Sequence, residues 1–572
     1  MDYTIKIGGE AGQGIQTIGD ILAKVFSRSG YHVFTHQEYE SRIRGGHNFY
    51  QIRFSDRPVT SSKSIIDIIV ALDNDSITLH GEELSDDGII VYDRAMVKNE
   101  YTGDRFLHTP LLEIAETHGR DRIMVNTVAI GVVLGMLGLE MDIFFNIIED
   151  TLKKKGSEII KLNKDAFSAG YRFAVQGCLR CAFSVAPREK SRMLIGVNEA
   201  IGIGAIASGC KFYSAYPMTP STGIMLYISG KAKEYGIVVE QAEDEIAAIN
   251  MAIGASYAGV RAMTGTSGGG FALMVEGLSL AAMTETPVVI ALAQRPGPAT
   301  GLPTKTEQAD LLFALHAGHG EFPRVIYAPG SPDQAFYLTN KAFDISQRYQ
   351  IPVFILTDQY LSDSQWTGEP FDFNDFIHRD YRIRGKSLED IEDYKRHAFT
   401  ENGVSPFGIP GTSKHLIITD SDEHDEEGHI IEDPETRIQM VEKRLFKKIP
   451  LIKEDMSSPE FYGDDKPDTV LIGWGSTWGV LKEVVDMLSK NKRIALIHFQ
   501  EVFPLPNTGK LDYLGIFKDA KITICIENNA TSQFSRLIKA ETGLGFTHHI
   551  RRFDGRPFFA DLLARRIDGI IG

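Results

Sequence analysis

Tyr216-Pro217-Met218-Thr219-Pro220-Ser221-Thr222 is the stretch from which the fold can be read. Two prolines set φ near about −65° and remove two backbone donors, so neither a helix nor a central strand runs through it. It is therefore a loop that displays Met218 and Thr219 at the end of the apolar run 210–216. Ser221 and Thr222 are placed to cap a helix whose apolar side includes Ile224, Leu226 and Ile228. Further on, 237–240 reads as a short buried strand and 241–254 as the start of a helix. Glu245 then lies in a first helical turn at the carboxyl end of a strand, where open α/β sheets bind ligands. Glu243, Asp244 and Glu245 also suit the positive end of a helix dipole, so position alone assigns no chemistry.

The alternation continues outward. A strand at 260–264 leads to a flexible loop, Thr266-Ser-Gly-Gly-Gly270, and then to a helix at 271–283. The continuous apolar run 287–293 suits a strand covered on both faces, and its end delivers Gln294 and Arg295. Strands at 325–327 and 352–357 complete a doubly wound α/β domain.

At 572 residues, the chain expects about three or four domains. Its 43% hydrophobic and 24% charged residues are those of a globular protein, and the net charge of −16 argues against non-specific nucleic-acid binding. Lys153-Lys-Lys155 reads as a solvated helix end. Four cysteines make no disulfide framework and suggest a reducing cytoplasm. The first residues carry no signal-peptide pattern, and 127–139 is too short to span a bilayer, so a buried helix is expected there.

The N-terminus reads as a strand at 3–7, a glycine loop through Gly12 and Gly14, and a helix at 15–27, a layout that offers backbone N–H groups to a phosphate or simply makes a tight turn. The spacing is not a full dinucleotide fingerprint, and no acid follows Phe34-Thr-His36 to hold a ribose. Arg42 and Arg44 stand beside Gly45 and Gly46, a pattern suited to a phosphate-bearing ligand. Strands at 49–54, 65–70, 88–92 and 124–126 continue the α/β pattern to about residue 182. Cys178-Leu-Arg-Cys181 lacks further ligands at metal spacing and reads as structural or incidental. The charge-rich segment from 368 to 467 includes Asp420–His429, a metal candidate that more simply makes a solvated hairpin. A final α/β segment opens at Thr469-Val-Leu-Ile-Gly473, with strands at 494–498 and 522–526.

The heptapeptide, Glu245 with Gly254 and Gly259 behind it, and Thr264-Gly-Thr-Ser-Gly-Gly-Gly270 closely resemble the alpha subunit of the 2-oxoacid:ferredoxin oxidoreductases, which are thiamine-diphosphate enzymes. Gln294–Thr304 resembles that family's substrate loop, and the likeness covers nearly the whole chain. The resemblance implies a gamma-type domain at 1–186 fused ahead of a thiamine-diphosphate pyrimidine-type domain at 193–367. A charged insertion at 368–467 and a transketolase C-terminal-like domain at 468–572 would follow. Glu245 would be the acid that shares a proton with the aminopyrimidine ring, lined by Tyr216 and Pro217. Thr219, Arg295 and Thr304 would hold the substrate, with Arg295 as a bidentate fork. Gly12, Gly14, Arg42 and Arg44 would meet coenzyme A phosphates, or serve a subunit contact.

Enzymes of this class hold diphosphate and Mg²⁺ through Gly-Asp-Gly followed by Asn, and no Gly-Asp-Gly occurs here. The resemblance therefore assigns the diphosphate, Mg²⁺ and a [4Fe–4S] cluster to a separate beta subunit, in a cytoplasmic (gamma–alpha/beta)₂ assembly that reduces ferredoxin. The implied reaction is coenzyme A-dependent oxidative decarboxylation of 2-oxoglutarate, with pyruvate and branched-chain 2-oxo acids as alternatives. A non-oxidative thiamine enzyme, a scaffold subunit without chemistry and a nicotinamide oxidoreductase are the competing readings.

Overall fold

The alternating apolar strands build three large sheets and a two-stranded one in the computed structural model, which describes residues 1–41, 45–178, 183, 185, 188 and 190–572. Two units divide the chain. One holds Met1–Ile195 with Ser364–Pro370 and Phe559–Ile567, and the other holds Gly196–Asp363, Phe371–Phe558 and Asp568–Gly572.

In the first unit, eight strands lie in the order Phe106–His108, Leu84–Tyr92, Ile66–Ala71, Asp2–Glu10, His47–Ser55, His32–Glu38, Gln365–Gly368 and Met193–Gly196. Residues from the helices Ile15–Arg28, Val125–Leu137, Met141–Leu152 and Ser157–Gly177 join the strands in one large apolar core. The Val125–Leu137 helix is the buried helix expected from its composition. Gly131 lets it touch backbone: a Cβ there would stand 2.2 Å from the Phe167 carbonyl oxygen. Residues 124–126 are not a strand. Val125 and Asn126 open this helix, because the apolar run continues from them without a turn residue. The three lysines at 153–155 form an exposed turn, as read from the sequence. Cys178 is disulfide-bonded, and Cys181 lies outside the described residues. Among the described residues no helix is long and apolar enough to cross a membrane.

The second unit carries a seven-stranded sheet in the order Glu501–Phe503, Val325–Tyr327, Pro352–Asp358, Val288–Gln294, Ala262–Thr266, Phe212–Ala215 and Val238–Gln241, parallel except for Glu501–Phe503. Val288–Gln294 is buried at every residue, as a strand with both faces covered must be. Val238–Gln241, expected to be buried, is instead the edge strand, with Val238 57% exposed. Leu226, expected on the apolar side of its helix, is exposed, whereas Ile224 and Ile228 are buried. Ser221 does not cap that helix, because its hydroxyl donates back to the Met218 carbonyl at 2.8 Å. Thr266–Gly270 is not a flexible loop either: the strand ends at Thr266, Ser267 is the N-cap residue, and the three glycines begin the Gly268–Met283 helix. A third sheet of Glu460–Gly463, Ile494–Phe499, Thr469–Trp474, Ile522–Glu527 and His548–Arg551 belongs to the same unit.

Just beyond the Gly268–Met283 helix, Glu285 is buried and accepts from Lys443 Nζ at 2.6 Å and Lys448 Nζ at 2.5 Å, with His397 Nδ1 at 3.0 Å. Burial alone would raise this carboxyl, but Lys443 and Lys448 hold it well below the usual carboxylate range. The Asp420–His429 stretch makes a turn in which His429 is exposed, as a solvated hairpin requires, while His424 is buried against the His397 ring at 4.1 Å. Among the described residues no His, Cys, Asp and Glu group is placed to hold a metal ion. Replacing Glu285 by Ala strands two buried ammonium groups, and denaturant unfolding is expected to show a loss of about 3–5 kcal/mol. Glu427→Ala, at an exposed position of the hairpin, leaves the unfolding midpoint unchanged.

Candidate functional site

The strand order of the second unit reverses between Phe212–Ala215 and Ala262–Thr266: the chain crosses from the first to the edge strand Val238–Gln241, then returns to the far side. The crevice at such a switch point, outside the carboxyl ends of the strands, is where doubly wound sheets bind ligands. Segments 216–222, 242–245, 267–270 and 295–310 leave strands at that end.

Glu245 is the first residue of the Glu245–Tyr257 helix and is only 3% exposed. Its neighbour Asp244 does the capping, accepting the Ala247 N–H at 2.7 Å, while Glu243 and Asp244 face solvent. The three acids are thus separated by role, and Glu245 points inward. Its Oε1 has no hydrogen-bond partner. A buried polar oxygen in that condition costs on the order of 1–3 kcal/mol, more for a charge, and marks a position built for a missing donor.

Glycines make room for it. A Cβ on Gly270 would lie 2.3 Å from Glu245 Oε1 and 2.1 Å from Thr266 Oγ1. Seven residues on, a Cβ on Gly277 would meet Ile249 at 2.8 Å. Gly270 and Gly277 are two turns apart, and Glu245 and Ile249 are one turn apart, so one glycine stripe brings the two helices together and admits the carboxylate. Phe271 fixes the helix start, edge-on to Phe313 and Phe354 at ring-centroid distances of 5.0 and 5.3 Å.

Arg295 follows the Val288–Gln294 strand and is half-buried. Its Nη1 donates to the main-chain oxygen of Thr219 at 2.9 Å, which ties the substrate-loop candidate to the Tyr216–Thr222 loop. Burial lowers the Arg295 guanidinium from its ordinary value, and Asp310 and Glu245 oppose that shift. The Thr219 hydroxyl makes no hydrogen bond to the described residues and stays free to donate. Tyr216 is 41% exposed beyond its strand, and Pro217 is half-buried. Thr304 is buried within the loop that starts at Arg295. The structure thus brings Glu245, Thr219 and Arg295 to one strand-end crevice.

Asp310 was not foreseen. It stands at the N-cap position of the Leu311–His316 helix but makes no cap bond. Its Oδ2 is buried and unpartnered, and a Cβ on Gly268 would sit 2.4 Å from it. Burial pushes the Asp310 carboxyl up to about 6, and burial with the Asp310 charge pushes Glu307 up to about 7. The glycine triplet therefore serves two carboxyls, Asp310 at Gly268 and Glu245 at Gly270. In sequence, Asp310 before Leu311-Leu-Phe is indistinguishable from an ordinary capping acid.

In the first unit, Gly12 (φ 95°) and Gly14 (φ 77°) both occupy the left-handed region, and Gly14 precedes the Ile15–Arg28 helix without a side-chain cap. A Cβ on Gly14 would lie 1.9 Å from Asn126 Nδ2. Arg42 and Arg44 lie outside the described residues.

Two family models match the chain. One described as pyruvate flavodoxin/ferredoxin oxidoreductase, thiamine diphosphate-binding, matches residues 203–443, and one described as pyruvate ferredoxin/flavodoxin oxidoreductase matches residues 4–173. The alpha subunit of a 2-oxoacid:ferredoxin oxidoreductase from Sulfolobus is 33% identical, and the match covers 100% of this chain and 97% of that relative. The chain belongs to the 2-oxoacid:ferredoxin oxidoreductase alpha subunits. Another relative of this alpha subunit is the 2-oxoglutarate oxidoreductase subunit KorA of Mycobacterium tuberculosis, 28% identical over 89% of this chain and 84% of its own. A solved 2-oxoglutarate:ferredoxin oxidoreductase from Magnetococcus marinus, with 2-oxoglutarate, coenzyme A and succinyl-CoA bound, matches at a TM-score of 0.91 and 30% identity over 100% of both chains.

The oxidoreductase's own residues fit half of a thiamine diphosphate. The orphaned Glu245 oxygen, buried at the strand end, suits the ring nitrogen of an aminopyrimidine. For the diphosphate, the chain offers no Gly-Asp-Gly. Gly270→Ala should displace the Glu245 carboxylate and lower 2-oxo acid turnover of the assembled enzyme at least about tenfold, a packing penalty of about 1–3 kcal/mol. Gly269→Ala, with no atom closer than 3.8 Å, should leave turnover within about twofold.

Proposed function

We propose that this chain is the fused gamma–alpha half of a coenzyme A-dependent enzyme that converts 2-oxoglutarate to succinyl-CoA and CO₂ and passes two electrons to ferredoxin. The observation that carries the reading is the buried Glu245 carboxylate, left with an unpartnered oxygen at the switch point. The ligands of the Magnetococcus marinus enzyme and the name of the Mycobacterium tuberculosis relative favour 2-oxoglutarate over pyruvate and branched-chain acids. The reaction balances as 2-oxoglutarate, coenzyme A and two oxidised ferredoxins giving succinyl-CoA, CO₂, two reduced ferredoxins and a proton.

Thiamine diphosphate, when bound, would supply a nucleophilic carbon and an electron sink. Glu245 holds a proton at Oε1 toward the pyrimidine ring, in a site from which burial excludes water. Tyr216 and Pro217 would wall that ring. Arg295, already tethered to Thr219 through Nη1, presents its remaining N–H groups to a substrate carboxylate. The Thr219 hydroxyl donates to the substrate, and Thr304 flanks the carboxylate. Gly12 and Gly14 would meet the coenzyme A phosphates at an uncapped helix start, and Arg42 and Arg44 would add charge for the same phosphates. The work divides along 1–186, 193–367, 368–467 and 468–572. A beta subunit contributes the diphosphate grip, Mg²⁺ and a [4Fe–4S] cluster in a cytoplasmic (gamma–alpha/beta)₂ assembly.

Co-purification with the partner subunit, followed by viologen reduction with several 2-oxo acids, tests the reading. The largest kcat/KM is expected with 2-oxoglutarate, and no acyl-CoA forms without coenzyme A. Glu245→Ala should remove about 10²–10⁴-fold of turnover with assembly intact. A scaffold subunit would keep its turnover after that change. Arg295→Lys, which loses the bidentate fork, should raise KM for the 2-oxo acid about tenfold.

A further inference from the structure

We propose that Gln308 is a positioning residue for Thr304, and that the third sheet uses its own ligand crevice to grip the loop on which both stand. The proposal rests on the reading of residues 295–310 as the loop that meets the substrate carboxylate.

The outgoing limb of that loop begins at a strand end, so the seven-stranded sheet itself places Arg295. The tip, 297–302, is exposed, and the return limb, 303–309, carries Thr304 toward the Leu311–His316 helix. The two limbs meet where the Asp310 main-chain N–H donates to Gln294 Oε1 at 2.9 Å. Gln294 is held in turn by donating to the Thr357 carbonyl at 3.0 Å. Residues 295–309 thus form a closed loop of the compact surface kind, and whatever fixes the return limb fixes Thr304.

The third sheet supplies that fixing. Its strand order reverses between Thr469–Trp474 and Ile522–Glu527: from the first the chain passes to Ile494–Phe499 on one side, then returns to the other. Open α/β sheets hold ligands in the crevice at such a point. Here the fully buried Gln308 side chain occupies it. Its Nε2 donates to the Trp474 carbonyl, at the end of one strand, at 2.9 Å. Its Oε1 accepts the Asn528 N–H, just past the end of the other, at 3.0 Å. The Gln308 main-chain N–H also donates to the Asn528 carbonyl at 2.6 Å. Gly475 makes room, since a Cβ there would lie 3.0 Å from Nε2. Glu527 braces both walls, accepting from Trp474 Nε1 at 3.3 Å and from the Phe534 N–H at 2.8 Å.

Neighbouring bonds act on the same limb. The Thr306 N–H donates to the Gly555 carbonyl at 3.2 Å. Gln533 donates to the Ala309 carbonyl at 2.6 Å and accepts the Leu312 N–H at 2.9 Å. An amide in a dry crevice imposes a direction that apolar packing does not, because a displaced loop would leave the Asn528 N–H and the Gln308 amide buried without partners. The crevice that elsewhere takes a ligand therefore sets where Thr304 stands.

The test is steady-state kinetics of the holoenzyme with its partner subunit, with assembly and the unfolding midpoint followed in parallel. Gln308→Met keeps the volume and loses both side-chain bonds. KM for the 2-oxo acid should rise about tenfold, while kcat and the KM for coenzyme A stay within about threefold. Thr547→Val is the control for a merely structural role: it removes a 2.8 Å bond to the Thr523 carbonyl beside the same sheet and should lower the unfolding midpoint with neither KM changed. Gln308→Glu, which when protonated makes both bonds, should lie closer to the unmodified KM than Gln308→Met at about pH 6. Should Gln308→Met not accumulate, Gln533→Met frees Ala309 and Leu312 and is expected to raise the same KM alone. An unchanged KM for the 2-oxo acid in the Met variant measured, or an equal rise in Thr547→Val, overturns the proposal alone. Absence of turnover with every 2-oxo acid in the unmodified holoenzyme overturns the functional reading and this proposal with it.

Discussion

An acid deprived of water at the carboxyl ends of a parallel sheet is the constraint around which the second unit is arranged. Glu245 is buried, yet one of its oxygens has no partner. Such a group persists only if the surrounding packing is strong enough to hold it and if binding gives it a donor. Much of the local architecture serves that condition. Asp244 takes over the helix cap, the Gly270–Gly277 stripe draws the neighbouring helix close, and Phe271 anchors the start of that helix in the core.

The same economy extends to the substrate side. Arg295 could swing freely at the end of a strand, but its bond to the Thr219 carbonyl joins two loops that leave different strands. That tether gives the guanidinium a fixed direction at little entropic cost, as a fork meant for a planar carboxylate requires. Far from the crevice, Glu285 and its two lysines make a buried polar anchor just beyond the opposite end of the glycine-started helix, whose start Phe271 holds by apolar packing.

Much of this was legible from the chain alone. Strand and helix alternation, the interrupted helix pattern at Pro217 and Pro220, and the place of Glu245 in a first turn follow from periodicity and proline stereochemistry. What escaped has identifiable causes. An apolar triplet such as Ile237-Val-Val239 looks alike in a central or an edge strand, because only the sheet order decides which face is covered. Thr266–Gly270 looked like a loop because glycine disfavours helix interiors. Here close approach of two carboxyls outweighs that propensity, and the helix begins at Gly268. Met124-Val-Asn126 has strand composition but is continued by an apolar helix. Asp310 carried no signal that separates a capping acid from one buried without a partner; its neighbours in space come from Gly268 and Gln294.

On the proposed reading, this polypeptide provides one half of a cofactor pocket. Equilibrium dialysis of thiamine diphosphate with Mg²⁺, against the purified chain alone and then against the chain with its partner subunit, tests it most directly. Weak or undetectable retention by the isolated chain and tight stoichiometric retention by the complex is the predicted result. Tight retention by the chain alone would contradict it.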